Sequence, residues 1–296
     1  MDATVVQLYI ILDGEQRREN EITDMPAFYK AVLDSPQLTT TSQPSIGDFM
    51  AAYEPLLAEG RDIVSVHLSG GVSGTVEAAR QAAKTLEDQG KGGERIHVAD
   101  SRTTAGALAM VCLAASNEIA RGSSAEQVVA RVEAARDETH NWILLDTLEF
   151  LQKGGRIGSA QALIGNALRI KPIIAMEQTV RPIEKVRTWS RGVDRIKAIA
   201  DEQAEKCEMT WVAQHIQKPD RVEDLASHCR KTFGNDGSFI SELSPVLGCY
   251  AGPGLIAGES VSVATPEPLA AARTAALTAA RAGGALGALG ATPYRL

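Results

Sequence analysis

Three short segments carry the side chains best suited to chemistry. The first, Thr39-Thr40-Thr41-Ser42-Gln43-Pro44-Ser45, sets hydroxyls immediately ahead of a helical pattern, where side-chain oxygens and free backbone N–H groups converge. The second, Ser69-Gly70-Gly71-Val72-Ser73-Gly74-Thr75, lies between a strand-like run and a helical one. Glycines there let the backbone approach an anion, and a helix N-terminus favours negative charge. The third, Gly154-Gly155-Arg156, places a guanidinium after a glycine pair, a group able to hold a carboxylate or phosphate through two parallel hydrogen bonds. Each segment also has a purely structural reading: a helix cap, a tight turn and a solvated side chain. His67 and Ser69 stand two apart on a strand-like run and share a face. That placement would suit a serine nucleophile, but no acid partner or oxyanion loop accompanies it. Neither G-x-S-x-G nor G-x-x-x-x-G-K-[ST] occurs.

Positioning these segments falls to an alternating chain. Residues 5–12 read as a strand, and 25–33 as a short helix with Pro26 in its first turn. Within 46–59, Phe49, Tyr53, Leu56 and Leu57 fall at i, i+4, i+7 and i+8, one face of a helix that Gly60 stops. Residues 62–68 form a strand pattern, 75–89 a helix and 96–100 a strand, followed by an Ala-rich helix ending at Gly122. Ser123 with Glu126 makes a capping box for the next helix, and 142–145 is another strand. This alternation predicts an α/β fold with a parallel sheet covered by helices. Beyond Asp146 the texture changes. A short helix through Leu148 and Leu151 precedes paired strands at 172–176 and 180–187. A helix from Gly192, a strand at 210–215, a helix from Pro219 and a strand at 239–243 follow. A boundary near residue 140 separates an N-terminal α/β domain (1–140) from a C-terminal α/β domain (141–262). The remainder, 263–296, is an Ala/Gly-rich tail with helix propensity over 269–281.

Composition excludes several classes. The 296 residues suit two domains. Thirty Lys and Arg against 37 Asp and Glu leave a net charge of −7, which argues against a general nucleic-acid binder. The longest apolar run, near 106–115, falls short of the roughly 20 residues that a membrane span needs. The N-terminus lacks the pattern of a signal peptide, so a cytoplasmic protein is expected. Cys112, Cys207, Cys229 and Cys249 form no C-x-x-C pair, and the five histidines show no two-His metal spacing. Neither a metal site nor a disulfide framework is expected.

Six motifs occur in order: Thr41-Ser42-Gln43-Pro44-Ser45; His67-Leu68-Ser69 with Ser73-Gly74-Thr75; Val98-Ala99-Asp100-Ser101; Asp146-Thr147-Leu148-Glu149-Phe150-Leu151 with Gly154-Gly155-Arg156-Ile157; Ile170-Lys171-Pro172-Ile173; and Lys185-Val186-Arg187. Together they resemble the DegV family of bacterial fatty-acid-binding proteins, over about residues 5–256. The resemblance implies a two-domain α/β protein whose N-terminal fold is shared with dihydroxyacetone-kinase-like proteins. Such a protein is not itself an enzyme. It holds one long-chain fatty acid, with no other cofactor, and presents it to a fatty acid kinase that makes acyl phosphate for phospholipid synthesis. Carried over residue by residue, Thr41 and Ser69 hydrogen-bond the carboxylate, while Ser42, Ser73, Gly74 and Thr75 complete the head-group pocket. Arg156 lies near the head group and supports either the site or the kinase contact. The acyl chain occupies an apolar tunnel in the second domain.

The chain departs from the family pattern at three places. It starts at what resembles the family's second strand, so the first strand is expected to be missing. Gly70 stands for the second serine of a Ser-Ser pair. Tyr250-Ala251-Gly252-Pro253-Gly254 stands where the family has His-Thr-Gly-Pro-Gly. Residues 169–197 hold eight basic and three acidic residues. They read as a docking face for the kinase, as a transient contact with an anionic membrane, or as a solvated surface. The alternative function is a small-molecule enzyme of the same fold, either serine hydrolase-like through Ser69 and His67 or dihydroxyacetone-kinase-like.

Overall fold

Val6, Leu8 and Ile10 alternate with Gln7 and Tyr9 and are all buried, but the strand expected over 5–12 is confined to its second half. The computed structural model describes residues 3–164, 170–206 and 209–262. In it β1 (Tyr9–Leu12) turns at Asp13 and Gly14 (φ 50° and 82°) into β2 (Glu15–Arg18). Positive φ at both turn residues is what a two-residue hairpin needs, and Asp-Gly supplies it. After α1 (Met25–Asp34), β3 (Thr40–Ser42) pairs with the other edge of β1, giving an antiparallel sheet in the order β2-β1-β3. The expected membership of residues 5–12 in a parallel sheet is thus corrected.

Ser45 opens α2 (Ile46–Ala58) with a capping box to Asp48, and the predicted face of Phe49, Tyr53, Leu56 and Leu57 is buried. β4 (Ile63–His67), α3 (Thr75–Asp88) and β5 (Ile96–Asp100) form a right-sized crossover unit, with β4 and β5 parallel from Ile63↔Ile96 to His67↔Asp100. α4 (Ala105–Ala120) and α5 (Ala125–Glu138) follow. The cap of α5 is Ser124 with Gln127, not Ser123 with Glu126, because the Ser123 hydroxyl turns back to Glu118 at 2.6 Å.

The chain then builds a third and larger sheet. β6 (Thr139–Leu144) leads through α6 (Glu149–Lys153) to β7 (Lys171–Glu177) and β8 (Thr179–Val186). α7 (Trp189–Ala204), β9 (Met209–His215), α8 (Pro219–Phe233), β10 (Phe239–Glu242), α9 (Pro245–Ala251) and β11 (Ile256–Ser262) complete it. Strand order is β10-β9-β11-β6-β7-β8, with β11 antiparallel to both neighbours. Alternation gives each face a different partner. Trp142, Leu144, Trp211 and Ile256 pack under Ile196 of α7 and Leu225 of α8. The opposite face presents Asn141, Ile143, Val212, Gln214, Ala257 and Glu259 toward α4 and the N-terminal lobe.

Among the described residues no helix is long and apolar enough to cross a membrane. Much of the basic stretch is paired: Lys171 with Asp146, Arg181 with Glu177, Arg195 with Glu184 and Glu202, and Lys197 with Asp224. Arg169, Cys207 and the tail expected over 263–296 lie outside the described residues.

Candidate functional site

The last turn of α9 carries a tyrosine, Tyr250, that reaches across to the N-terminal lobe. The Tyr250 hydroxyl and Thr41 Oγ1 of β3 are 2.6 Å apart. The Arg156 guanidinium lies over the Tyr250 ring, 4.9 Å from its centroid, a favourable cation–π placement. Arg156 is held there by donating from Nε to the Val72 carbonyl (3.3 Å) and from Nη1 to the Gly154 carbonyl (2.7 Å). The glycine pair before it has two separate causes. A Cβ on Gly154 would sit 2.5 Å from Tyr250 Cδ1, and Gly155 takes φ +72°, a conformation that side chains with a Cβ rarely adopt. Opposite, the Ser73 hydroxyl pairs with Thr75 Oγ1 at 2.7 Å and the Ser42 hydroxyl donates to the Gln43 carbonyl at 3.2 Å. The Gln43 side chain lies across Gly74, whose absent Cβ leaves room for it.

These groups rim one end of a cavity of about 330 Å³, at the small end of the roughly 300–1,000 Å³ typical of ligand pockets. Thr41, Ser42, Ser73, Gly74, Arg156 and Tyr250 all line it, together with Gln43. Inside, most of the lining is apolar: Leu68, Leu145, Leu151, Ile174, Val246 and Leu255 are buried and line the same space. Leu8, Leu68 and Val72 come from the N-terminal half, so the lining is not confined to the second domain as expected.

Two of the expected head-group residues stand behind the rim. Ser69 is fully buried, and its hydroxyl donates to the Gln178 carbonyl (2.6 Å) while accepting from the Gly71 N–H (3.1 Å). Thr75, the first residue of α3, is buried and reaches the rim only through Ser73. Neither lines the cavity. His67 faces Ser65 (2.8 Å), which in turn meets the Tyr53 hydroxyl (2.7 Å). Burial, with Arg80 nearby, pushes the His67 pKa down to about 3 and keeps the ring neutral. The His67–Ser69 pairing that a serine hydrolase would use is therefore not formed. Among the described residues, no group of three or more His, Cys, Asp or Glu side chains is placed to hold a metal ion.

Three polar lining residues, Gln43, Thr104 and Glu259, were without a role in the sequence reading. Gln43 belongs to the hydroxyl-rich motif and covers Gly74. Glu259 lies deep in the cavity wall, 1% exposed, and its Oε2 has no hydrogen-bond partner. A lone acid in register with Leu255, Ala257 and Val261 was the signal that would have found it.

An α/β scaffold of three sheets encloses a largely apolar cavity whose mouth carries hydroxyls and a guanidinium, a lining of the class suited to an amphipathic anion. The chain belongs to the DegV family. The model of that family, described as "Uncharacterised protein, DegV family", matches residues 1–262. A DegV domain-containing protein of Streptomyces coelicolor is 34% identical over 256 residues, 86% of this chain and 89% of that protein. Protein DegV of Bacillus subtilis is 30% identical, with 85% and 89% covered. Among solved structures, a DegV family protein from Thermus thermophilus, described by its fatty acid binding, matches with a TM-score of 0.79 at 30% identity, covering 87% of this chain and 91% of that one. The structure of DegV from Bacillus subtilis, described as a fatty acid binding protein, matches with a TM-score of 0.76 at 30% identity, covering 87% and 90%.

Proposed function

We propose that the cavity holds one long-chain fatty acid, its carboxylate at the mouth formed by Thr41, Tyr250 and Arg156 and its acyl chain inside. The observation that carries this reading is a single cavity with hydroxyls and a guanidinium at its exposed end and apolar walls along its buried length. The fatty acid binding described for two relatives at 30% identity supports the ligand class. Burial of each methylene contributes about 0.8 kcal/mol. Charge-assisted hydrogen bonds at the mouth fix which end of the ligand faces out. Ser42, Ser73 and Gly74 complete the mouth, while Ser69 and Thr75 hold the loop that forms it.

The side chains at the mouth bind and orient, and none is arranged as an activated nucleophile, so the protein acts as a carrier. Its exposed Arg156 rim leaves the carboxylate within reach of a second protein. Presentation to a fatty acid kinase, the role implied by the resemblance, belongs to the same proposal. Mass spectrometry of ligand released from purified protein should show a long-chain fatty acid at up to one per chain. Acyl phosphate should form when the loaded protein is mixed with a fatty acid kinase and ATP. Folded, lipid-free protein that takes up no added fatty acid would overturn the carrier reading.

A further inference from the structure

The inner end of the cavity is not wholly apolar. Leu255, Ala257 and Glu259 line it in succession, the latter two on one face of β11, and the strand runs away from α9 and the mouth. Four residues at about 3.3 Å each place Glu259 roughly 13 Å deeper than Leu255. The two polar side chains that flank it on the sheet are engaged. Asn141, directly across on β6, donates to the Met176 carbonyl (2.9 Å) and accepts from the Met176 N–H (2.5 Å). Gln214, on β9, accepts from the Gly106 N–H (2.6 Å) and donates to Ser241 (2.8 Å). Gly106 leaves room for both side chains, since a Cβ there would lie 2.8 Å from Glu259 Oε2 and from Gln214 Oε1. Of these three side chains on the sheet face, Glu259 alone lines the cavity, with Oε2 buried and unpartnered.

A buried polar group without a partner is costly, and such groups in folded proteins are as a rule satisfied by protein, water or ligand. We propose that Glu259 is a specificity residue that recognises a hydroxyl group on the distal half of the acyl chain, so that the preferred ligands are hydroxy fatty acids. This rests on the acyl-chain reading of the cavity given above. Burial raises the Glu259 pKa to about 8, so near neutrality the group is mainly a neutral carboxylic acid. In that form it has one O–H to donate and a carbonyl oxygen to accept. A ligand hydroxyl can use both, whereas a plain methylene chain leaves both unmet. The asymmetry is what makes such a site selective: a pocket built to hydrogen-bond a hydroxyl discriminates against the analogue that lacks it.

Direct titration of delipidated full-length protein with palmitate, ω-hydroxypalmitate, a mid-chain hydroxystearate and α-hydroxypalmitate tests this. A distal hydroxy acid should bind roughly tenfold more tightly than palmitate, with no gain for the α-hydroxy acid, whose hydroxyl stays at the mouth. Glu259→Leu should abolish or reverse that preference while still binding palmitate. Glu259→Gln, which keeps a donor and an acceptor, should retain part of it and serves if the leucine variant does not fold. Equal affinities for all four acids, or a preference unchanged in Glu259→Leu, would overturn the role of Glu259 and leave the carrier reading standing. Failure of folded protein to bind any of the four would overturn both.

Discussion

Tyr250 of α9 and Thr41 of β3, 209 positions apart in sequence, meet hydroxyl to hydroxyl at 2.6 Å at the mouth of the cavity. One of the two hydroxyls donates to the other, and the accepting one keeps its own O–H free to donate. An incoming carboxylate can therefore accept from one of them while the other holds its partner in place.

Thr41→Ala and Tyr250→Phe should each weaken fatty acid binding. Loss of a hydrogen bond to a charged group is worth on the order of 1.5–3 kcal/mol, roughly ten- to a hundredfold in affinity. Because the two hydroxyls act through one contact, the double variant should lose less than the sum of the single losses. Isothermal titration of all four proteins with one fatty acid measures this, and strictly additive losses would mean that the hydroxyls serve the ligand independently.

Gly154→Ala tests the ring rather than the hydroxyl. The backbone at Gly154 (φ −76°, ψ −7°) accepts alanine without strain, but the added methyl would strike the Tyr250 ring. Moving the ring breaks both the Thr41 contact and the Arg156 stack. Overpacking of this kind costs about 1–3 kcal/mol of stability, and affinity should fall at least as far as in Tyr250→Phe. An unchanged affinity with an unchanged melting temperature would mean that Tyr250 moves aside freely.

Much of this arrangement was legible in the sequence, and the failures have local causes. The β4–α3–β5 unit showed itself through apolar runs punctuated by Ser and Gly, and α2 through its i, i+4, i+7 face. β2 escaped because Glu15–Arg18 is exposed throughout and has no apolar alternation. β11 escaped because Gly258 and Glu259 break its apolar run, and the place above the sheet at Gly258 is filled by the Trp142 indole. The hydroxyl segments were readable because capping and loop chemistry are local. Which hydroxyl faces the cavity was not. Ser69 turns to the carbonyl of Gln178, 109 residues away, and Tyr250 to Thr41. Both choices are set by tertiary packing.

Stability should depend on pH through buried acids. Burial raises the Glu19 pKa from 4.5 to about 7, despite hydrogen bonds with Ser244 and Val246. The native state thus keeps a proton that the unfolded chain releases, and stability falls as pH rises from about 4.5 to about 7. Glu259 acts in the same direction up to about 8. His67 opposes them, because below its ordinary value of 6.5 the unfolded chain takes up a proton that the buried ring refuses. Glu19→Gln should therefore lose the Glu19 part of this fall, at most about 3.5 kcal/mol at about 1.4 kcal/mol per pKa unit. Melting temperatures of wild type and variant should diverge from pH 5 to pH 8 in favour of the variant. A constant offset would show that Glu19 does not carry the proton.

Ser69→Ala separates support from contact. The Ser69 hydroxyl is buried, donates to Gln178 and accepts from Gly71, and does not line the cavity. Its removal takes a buried hydrogen bond from the strand-to-helix loop and should lower stability by about 1–3 kcal/mol. Gln178 makes this contact from a left-handed backbone position (φ 59°) between β7 and β8, where its N–H also donates to the Arg102 carbonyl at 2.7 Å. The loop and the β-turn therefore loosen together. Ligand affinity should fall less than in Thr41→Ala, and saturating fatty acid should recover part of the lost melting temperature, since binding stabilises the folded state. Denaturant unfolding and ligand titration on the same preparation read the two effects apart. A Ser69→Ala protein with parental stability and a hundredfold loss of affinity would instead make Ser69 a direct ligand of the carboxylate, turning from Gln178 to the head group on binding.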